Sequence, residues 1–279
     1  MLISVGCRFV FDVQTPTHAT LLVEPHSSEI ERVLDDMLVC STGVESHPFV
    51  DTFGNRCRRL SMPIGIAEIE YMASIEVGDD ADPADESAVQ LAPADIPTRA
   101  LPFLLPSRYC ESDLLAERAW ELFGDTEPGW HRVQAIVDWV HEHVEFDYGQ
   151  SSTSHTAVSV LEHRVGVCRD YTHVAIALCR ALNIPARYAF GYLPDIDVPD
   201  PGLPMDFCAW MEVQLGGRWY TFDVRNNQRR KGRIVIGRGR DAADVAMVTS
   251  YGLTPLLDMQ VTAEPALHTA PVHADATFS

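Results

Sequence analysis

The sequence predicts an α+β protein in which an antiparallel β domain precedes a mixed domain of helices and strands. Three observations carry this. Apolar residues alternate with period 2 before residue 78, the period changes to 3.6 after residue 112, and strand-like runs return beyond a helix that ends at Pro185. With 279 residues, 46% hydrophobic and 22% charged, the chain has an ordinary globular composition and the length for one large domain or two small ones.

Arg8–Val13 and Thr20–Val23 favour strands, and the clearest case is Ile69, Tyr71, Ala73, Ile75 and Val77 alternating with Glu68, Glu70, Met72, Ser74 and Glu76. Such alternation gives a sheet one buried and one wet face. Asp51–Arg56 carries the Gly54-Asn55 pair of a tight turn. Residues 1–77 are therefore expected to form a small antiparallel β-sandwich. Residues 78–97 concentrate acid, Pro and Ala without an aromatic, which marks a linker.

A helix-and-strand core is expected over 98–262. Ser112 is placed to cap a helix that runs to Phe123 and stops at Gly124. Val133, Ile136, Val137, Val140 and Val144 fall on one helical face. A third helix should run from near Cys168 to Leu182 and end at Asn183-Ile184-Pro185, because proline disfavours helix in the residue before it. Strands return at Ala186–Tyr192, Trp210–Leu215 and Arg218–Asp223, the last two joined by Gly216-Gly217 as a hairpin. Residues 263–279, rich in Ala, Thr, His and Pro, read as a flexible tail.

Forty acids against 21 bases give a net charge of −19, which repels phosphate backbones and anionic headgroups, so neither nucleic acid nor a membrane is expected as partner. Seven of the bases fall between Arg225 and Arg240, where internal pairing with acids such as Asp241 and Asp244, or a hold on a substrate carboxylate, is expected. No basic leader and no apolar run of membrane-spanning length is found, so a cytoplasmic location is expected. Cys7, Cys40, Cys57, Cys110, Cys168, Cys179 and Cys208 are odd in number and scattered, which is not a disulfide framework. No metal or other cofactor is expected: Cys168 and Cys179 stand about 16 Å apart along a helix, and His141 and His143 point different ways.

Cys168 lies at the first turn of its helix, where the positive end of the macrodipole favours the thiolate. The alternative, a small buried hydrophobe, fits Cys179 better. Pairing Leu215 with Arg218 sets Trp210 opposite Asp223, which leaves Cys208 and Asp223 on one face as diagonal neighbours about 7–8 Å apart. A thiol on a helix with a base and an orienting acid on adjacent strands is a layout for nucleophilic catalysis.

The runs Gly166-Val167-Cys168-Arg169-Asp170-Tyr171-Thr172-His173, Ala181-Leu182-Asn183-Ile184-Pro185-Ala186-Arg187-Tyr188, Met205-Asp206-Phe207-Cys208-Ala209-Trp210 and Trp219-Tyr220-Thr221-Phe222-Asp223 together resemble bacterial transglutaminase-like cysteine proteases. The resemblance covers about 155 to 252. It implies a papain-like core behind an N-terminal β domain, with Cys168 as nucleophile, a base at 208 and Asp223 orienting that base. The family generally has His before the Ala-Trp pair; this chain has Cys208, which cannot serve as a neutral imidazole base near pH 7.

Three routes stay open at this stage: His173 or His155 moves the proton, thiolate and oxyanion hole alone give weak hydrolysis, or the site only binds. Facing thiols at 168 and 208 could also close as a disulfide. Residues 148–155 resemble the family's Tyr-x-Gly-Ser-Ser segment, so Gln150, then Ser151 and Ser152, are candidates for the oxyanion side together with the Cys168 N–H. The expected function is hydrolysis or acyl transfer at peptide or isopeptide amides of a peptide or protein substrate through a Cys168 thioester. The rival is a catalytically inactive peptide- or protein-binding domain.

Overall fold

The computed structural model describes residues 1–150, 152–199 and 202–266. The first domain opens with β1 (Leu2–Val13), β2 (Thr17–Leu21), β3 (Val33–Cys40), β4 (Glu45–Val50), β5 (Arg56–Met62) and β6 (Gly65–Glu76). The helical region holds α1 (Ala116–Phe123), α2 (Trp130–His143), β7 (Glu145–Phe146), α3 (Ala157–His163), β8 (Val165–Gly166) and α4 (Cys168–Ala181). Then come β9 (Ala186–Tyr192), β10 (Cys208–Leu215), β11 (Arg218–Phe222), β12 (Ile234–Gly239), β13 (Val248–Ser250) and β14 (Leu256–Pro265). The fold is α+β with antiparallel sheets, as the two periodicities require.

The first domain has two four-stranded antiparallel sheets, ordered β14-β1-β6-β3 and β13-β2-β5-β4. Ile3, Val5, Cys7, Phe9, Phe11 and Val13 of β1 and the alternating set Ile69 to Ile75 of β6 all face one core with Leu60 and Met62 of β5. The chain does not leave this domain for good at residue 77. Strand β13 pairs with β2, and β14 pairs with β1, setting Val261 opposite Cys7 and Ala263 opposite Val5. The expected core boundary at 262 and the tail from 263 are corrected accordingly: Met259, Val261 and Ala263 alternate with Asp258, Gln260 and Thr262, and that pattern buries one face on β1. The rest of the expected tail, 267–279, lies outside the described residues.

In the second domain α4 is the centre. Asp170 through Arg180 are all buried, and the helix packs between α1–α3 and the sheet ordered β11-β10-β9-β12. Its end differs in cause from the expectation. Asn183 takes the left-handed conformation (φ 61°), with Ile184 N–H donating to Cys179 O and Asn183 N–H to Arg180 O, both at 2.9 Å. These two bonds are a Schellman stop, made before Pro185 is reached. Helix α1 begins at Ala116; Ser112 sits in the preceding turn, its N–H donating to Cys110 O at 2.9 Å. Leu215 pairs with Arg218 across Gly216 and Gly217, both at positive φ, as the hairpin predicts. Residues 78–97 have little regular structure but are pinned to the core, with Trp130 N–H on Ala88 O at 2.9 Å and Gly216 N–H on Val89 O at 2.8 Å.

A side chain joins the domains. Asn55, fully buried in the turn between β4 and β5, donates to Arg238 O at 2.9 Å and accepts from Arg238 N–H at 2.8 Å, completing the outer ladder of edge strand β12. Asp51 holds that amide in place at 2.7 Å. The Arg238 guanidinium bonds Glu212 at 2.9 Å and Ser28 of the first domain at 2.8 Å. Asn55→Ala orphans two buried backbone groups at about 1–3 kcal/mol each, so a loss of about 3 kcal/mol is expected from urea unfolding with an unchanged slope. A loss below about 0.5 kcal/mol would remove the clamp.

Candidate active site

Cys168 is the first residue of α4, and Asp170 fixes where it stands. Val167 precedes the helix in extended backbone (φ −111°, ψ 178°), and the Asp170 carboxylate turns back to accept its N–H at 3.0 Å. Asp170 is fully buried and paired with Arg169, whose Nε and Nη2 reach it at 3.0 and 2.9 Å. The same guanidinium donates to Ser152 O at 2.6 Å and draws that loop to the helix. Residue 166 must be glycine, because a Cβ there would lie 2.6 Å from that of Asp170.

Cys208 and Ala209 of β10 line the same cavity as Cys168, and donation from the Cys208 thiol and the Ala209 N–H favours its thiolate. The thiol bond is the larger influence and holds the Cys168 pKa below the ordinary thiol value; burial opposes it, the Ala209 N–H and Arg225 assist, and Asp206 opposes. Cys208 is pushed well up, because it is the donor, is desolvated and faces Asp223. Burial drives Cys7 up to about 11 and Cys57, Cys110 and Cys179 up to about 12. Cys168 alone among the seven moves toward the thiolate.

Cys168, Asp206, Phe207 and Cys208 form the wall between two cavities. The larger, about 550 Å³, lies between the domains and is lined with Phe9 and Phe11 of β1, Phe190 of β9 and Met259 of β14. The smaller, about 70 Å³, is bordered by Tyr148 and Arg225, the latter 4.2 Å from the Phe146 ring. Among the described residues, no group of three His, Cys, Asp or Glu side chains is arranged to hold a metal ion, and no helix is long and apolar enough to cross a membrane.

The other expected site residues fall as follows. Continuing the hairpin register puts Asp223 opposite Trp210. Its carboxylate accepts from Asn226 N–H, the Asn226 amide and Arg233, each at 3.0 Å. Arg233 also pairs with Asp82 and lies 4.3 Å from the Trp210 ring centre. The Cys208 S–H donates to Ala209 O at 3.7 Å.

Neither His173 nor His155 lines either cavity. His173, about 140° around the helix from Cys168, is fully buried; its Nε2 accepts Ala242 N–H at 3.1 Å, its ring lies against Tyr109 and Tyr188, and burial keeps it neutral. His155 Nδ1 sits 3.8 Å from Asp170. The histidine route is thereby corrected. Gln150 is exposed and lines neither cavity, Ser152 turns its hydroxyl to Ser154 at 2.8 Å, and Ser151 lies outside the described residues. Asp206, Tyr148 and Arg225 are the site's neighbours that no spacing rule flags; only the position of Asp206 two residues before Cys208 hints at its place.

The family model of the transglutaminase-like superfamily matches residues 118–224, which include Cys168, Cys208 and Asp223. A crystal structure of a candidate cysteine protease from Cytophaga hutchinsonii aligns with a TM-score of 0.83 and 31% identity, over 94% of this chain and 90% of that one. The chain belongs to the transglutaminase-like superfamily. Two uncharacterized mycobacterial proteins are also similar to it. One from Mycobacterium leprae is 31% identical over 117 residues, and one from Mycobacterium bovis is 41% identical over 114. These matches cover 41% and 37% of this chain and 42% and 36% of the relatives, so the chain spans about two fifths of the length of the curated relatives it matches.

In this transglutaminase-like site, alkylation of Cys168 by iodoacetamide, followed by peptide mapping, should reach half its maximal rate below the ordinary thiol pKa of 9.0 and fall away as pH drops through that midpoint. Cys208→Ala removes the main donor and should move the midpoint up. Asp206→Asn removes an opposing charge and should move it down. One midpoint shared by all three proteins would contradict the hydrogen-bonded thiolate.

Proposed function

We propose that the chain is a cysteine-nucleophile amide hydrolase or acyltransferase acting on peptide or isopeptide bonds. One observation carries this reading: Cys168, at the head of a buried helix and beside Cys208 and Ala209, opens onto a cleft of about 550 Å³. The likeness to a candidate cysteine protease over most of both chains supports it.

In this reading the Cys168 thiolate attacks the amide carbonyl carbon. The developing oxyanion meets the Cys168 N–H at the head of α4 and the Tyr148 phenol. Expulsion of the amine needs a proton. Asp206, whose half-buried carboxyl is pushed up in pKa by desolvation, supplies it in place of an imidazole. Water then cleaves the thioester, or an amine takes the acyl group; hydrolysis is the favoured outcome. The aromatic wall built by Phe9, Phe11, Phe190 and Phe207 suits an apolar side chain of an extended peptide.

A second reading, a peptide- or protein-binding domain without turnover, is favoured by the lack of histidine in either cavity and by the saturation of Asp223 with Asn226 and Arg233. Cys208→His separates the two. If the remaining site is competent, hydrolysis of a fluorogenic peptide should rise by roughly 10²–10⁴-fold, and adding Cys168→Ala should abolish the gain. No gain in a folded Cys208→His protein would favour the binding reading.

A further inference from the structure

Two thiols of one chain line the same wall between two cavities, and both are partly exposed. Cys7, Cys57, Cys110 and Cys179 are buried, and Cys40 lies on β3 in the first domain. We propose that Cys168 and Cys208 are a peroxide-reducing dithiol, in which Cys168 attacks a hydroperoxide and Cys208 resolves the product as an intramolecular disulfide.

The geometry assigns the roles. Cys168 stands at the positive end of α4, which favours its thiolate, the form that attacks. Cys208 lines the same two cavities as Cys168, so the resolving thiol shares a wall with the atom to be oxidised. Arg169 lines the larger cavity and Arg225 the smaller, each a cation for the leaving alkoxide. The phenylalanine-lined cavity of about 550 Å³ has the room and the apolar lining for an organic hydroperoxide.

The thiolate attacks the terminal oxygen of ROOH. An S–O bond forms, the O–O bond breaks, and RO⁻ leaves and takes a proton from water as ROH, with Cys168 now a sulfenic acid. The Cys208 sulfur then attacks the sulfenic sulfur. The S–S bond forms, and hydroxide leaves with the Cys208 proton as water. Two thiols have lost two electrons and the peroxide has gained them. A small external dithiol reopens the pair and becomes a disulfide itself. This chemistry stands on the Cys168–Cys208 contact and does not require amide turnover.

The test uses the reduced full chain, free of oxygen and in chelator, given one equivalent of hydrogen peroxide or cumene hydroperoxide. The expected result is loss of one peroxide and two of the seven thiols per chain, with a Cys168–Cys208 cross-linked peptide that dithiothreitol reverses. Cys208→Ser should instead accumulate a sulfenic acid that dimedone traps at Cys168. Peroxide left unconsumed, or Cys168 carried to the sulfinic acid while Cys208 stays free in the unmutated protein, overturns the proposal. Either result leaves the outcome of the Cys208→His peptide assay untouched, so the two readings fail separately.

Discussion

The site depends on one buried charge. Asp170 has no exposure to water, and a carboxylate so placed persists only if hydrogen-bonded and paired. The first turn of α4 supplies the pairing from its own residues, the Val167 N–H and the Arg169 guanidinium. Everything that positions Cys168 follows: the backbone at 167 is fixed, residue 166 can carry no side chain, and Arg169 is turned so that the Nη2 bonded to Asp170 also holds Ser152 O. The arrangement also sets a competition. A second anion at the same helix end draws on the same dipole, so a thiolate at 168 needs donors from elsewhere, and Ala209 and Cys208 on β10 provide them.

The cleft depends on a different constraint. Because β13 and β14 return to the first domain, the chain crosses between the domains twice, and Phe9, Phe11 and Met259 are held opposite Cys168 by strand pairing instead of by a loop. The Asn55 amide and the Arg238–Glu212 pair add a polar lock. Burial pushes the Glu212 pKa up, yet Arg238 and Arg187 hold it at about 2, so this lock keeps its charge at any ordinary pH. A gap walled from both sides this way keeps its shape without a ligand.

Much of this was legible in the sequence because it rests on local periodicity. The β6 alternation, the α2 face, the limits of α4 and the 215–218 register each follow from residues next to one another in the chain. What escaped depends on partners far away. Strand β14 carries a clear alternation at 258–263, but the partner that makes it a strand lies some 250 residues earlier in the chain. The arginines of 225–240 were expected to pair internally, and Arg240 does reach Asp244 at 2.9 Å; that Arg233 bridges Asp82 and Asp223 required knowing that residues 78–97 fold back on the core. Within the site, Cys168 and Cys208 were legible from motif and register, whereas Asp206, Tyr148 and Arg225 converge only through tertiary structure.

Replacing an imidazole by a thiol at 208 changes the charge of the site as well as its basicity. A thiolate beside an imidazolium is a neutral pair; a thiolate beside a thiol is a net anion sharing a single proton. The nearest counterweight is Arg225, while Asp206 across the same wall adds to the negative side when ionised. Desolvation pushes the Asp206 pKa up, toward the neutral acid, which lessens that repulsion. The pair is therefore arranged to bias one sulfur toward the thiolate through donation from neutral groups. A site of that kind favours electrophiles that bring their own leaving-group stability or meet the two flanking arginines, and it handicaps reactions that need a strong proton donor at the moment of bond cleavage.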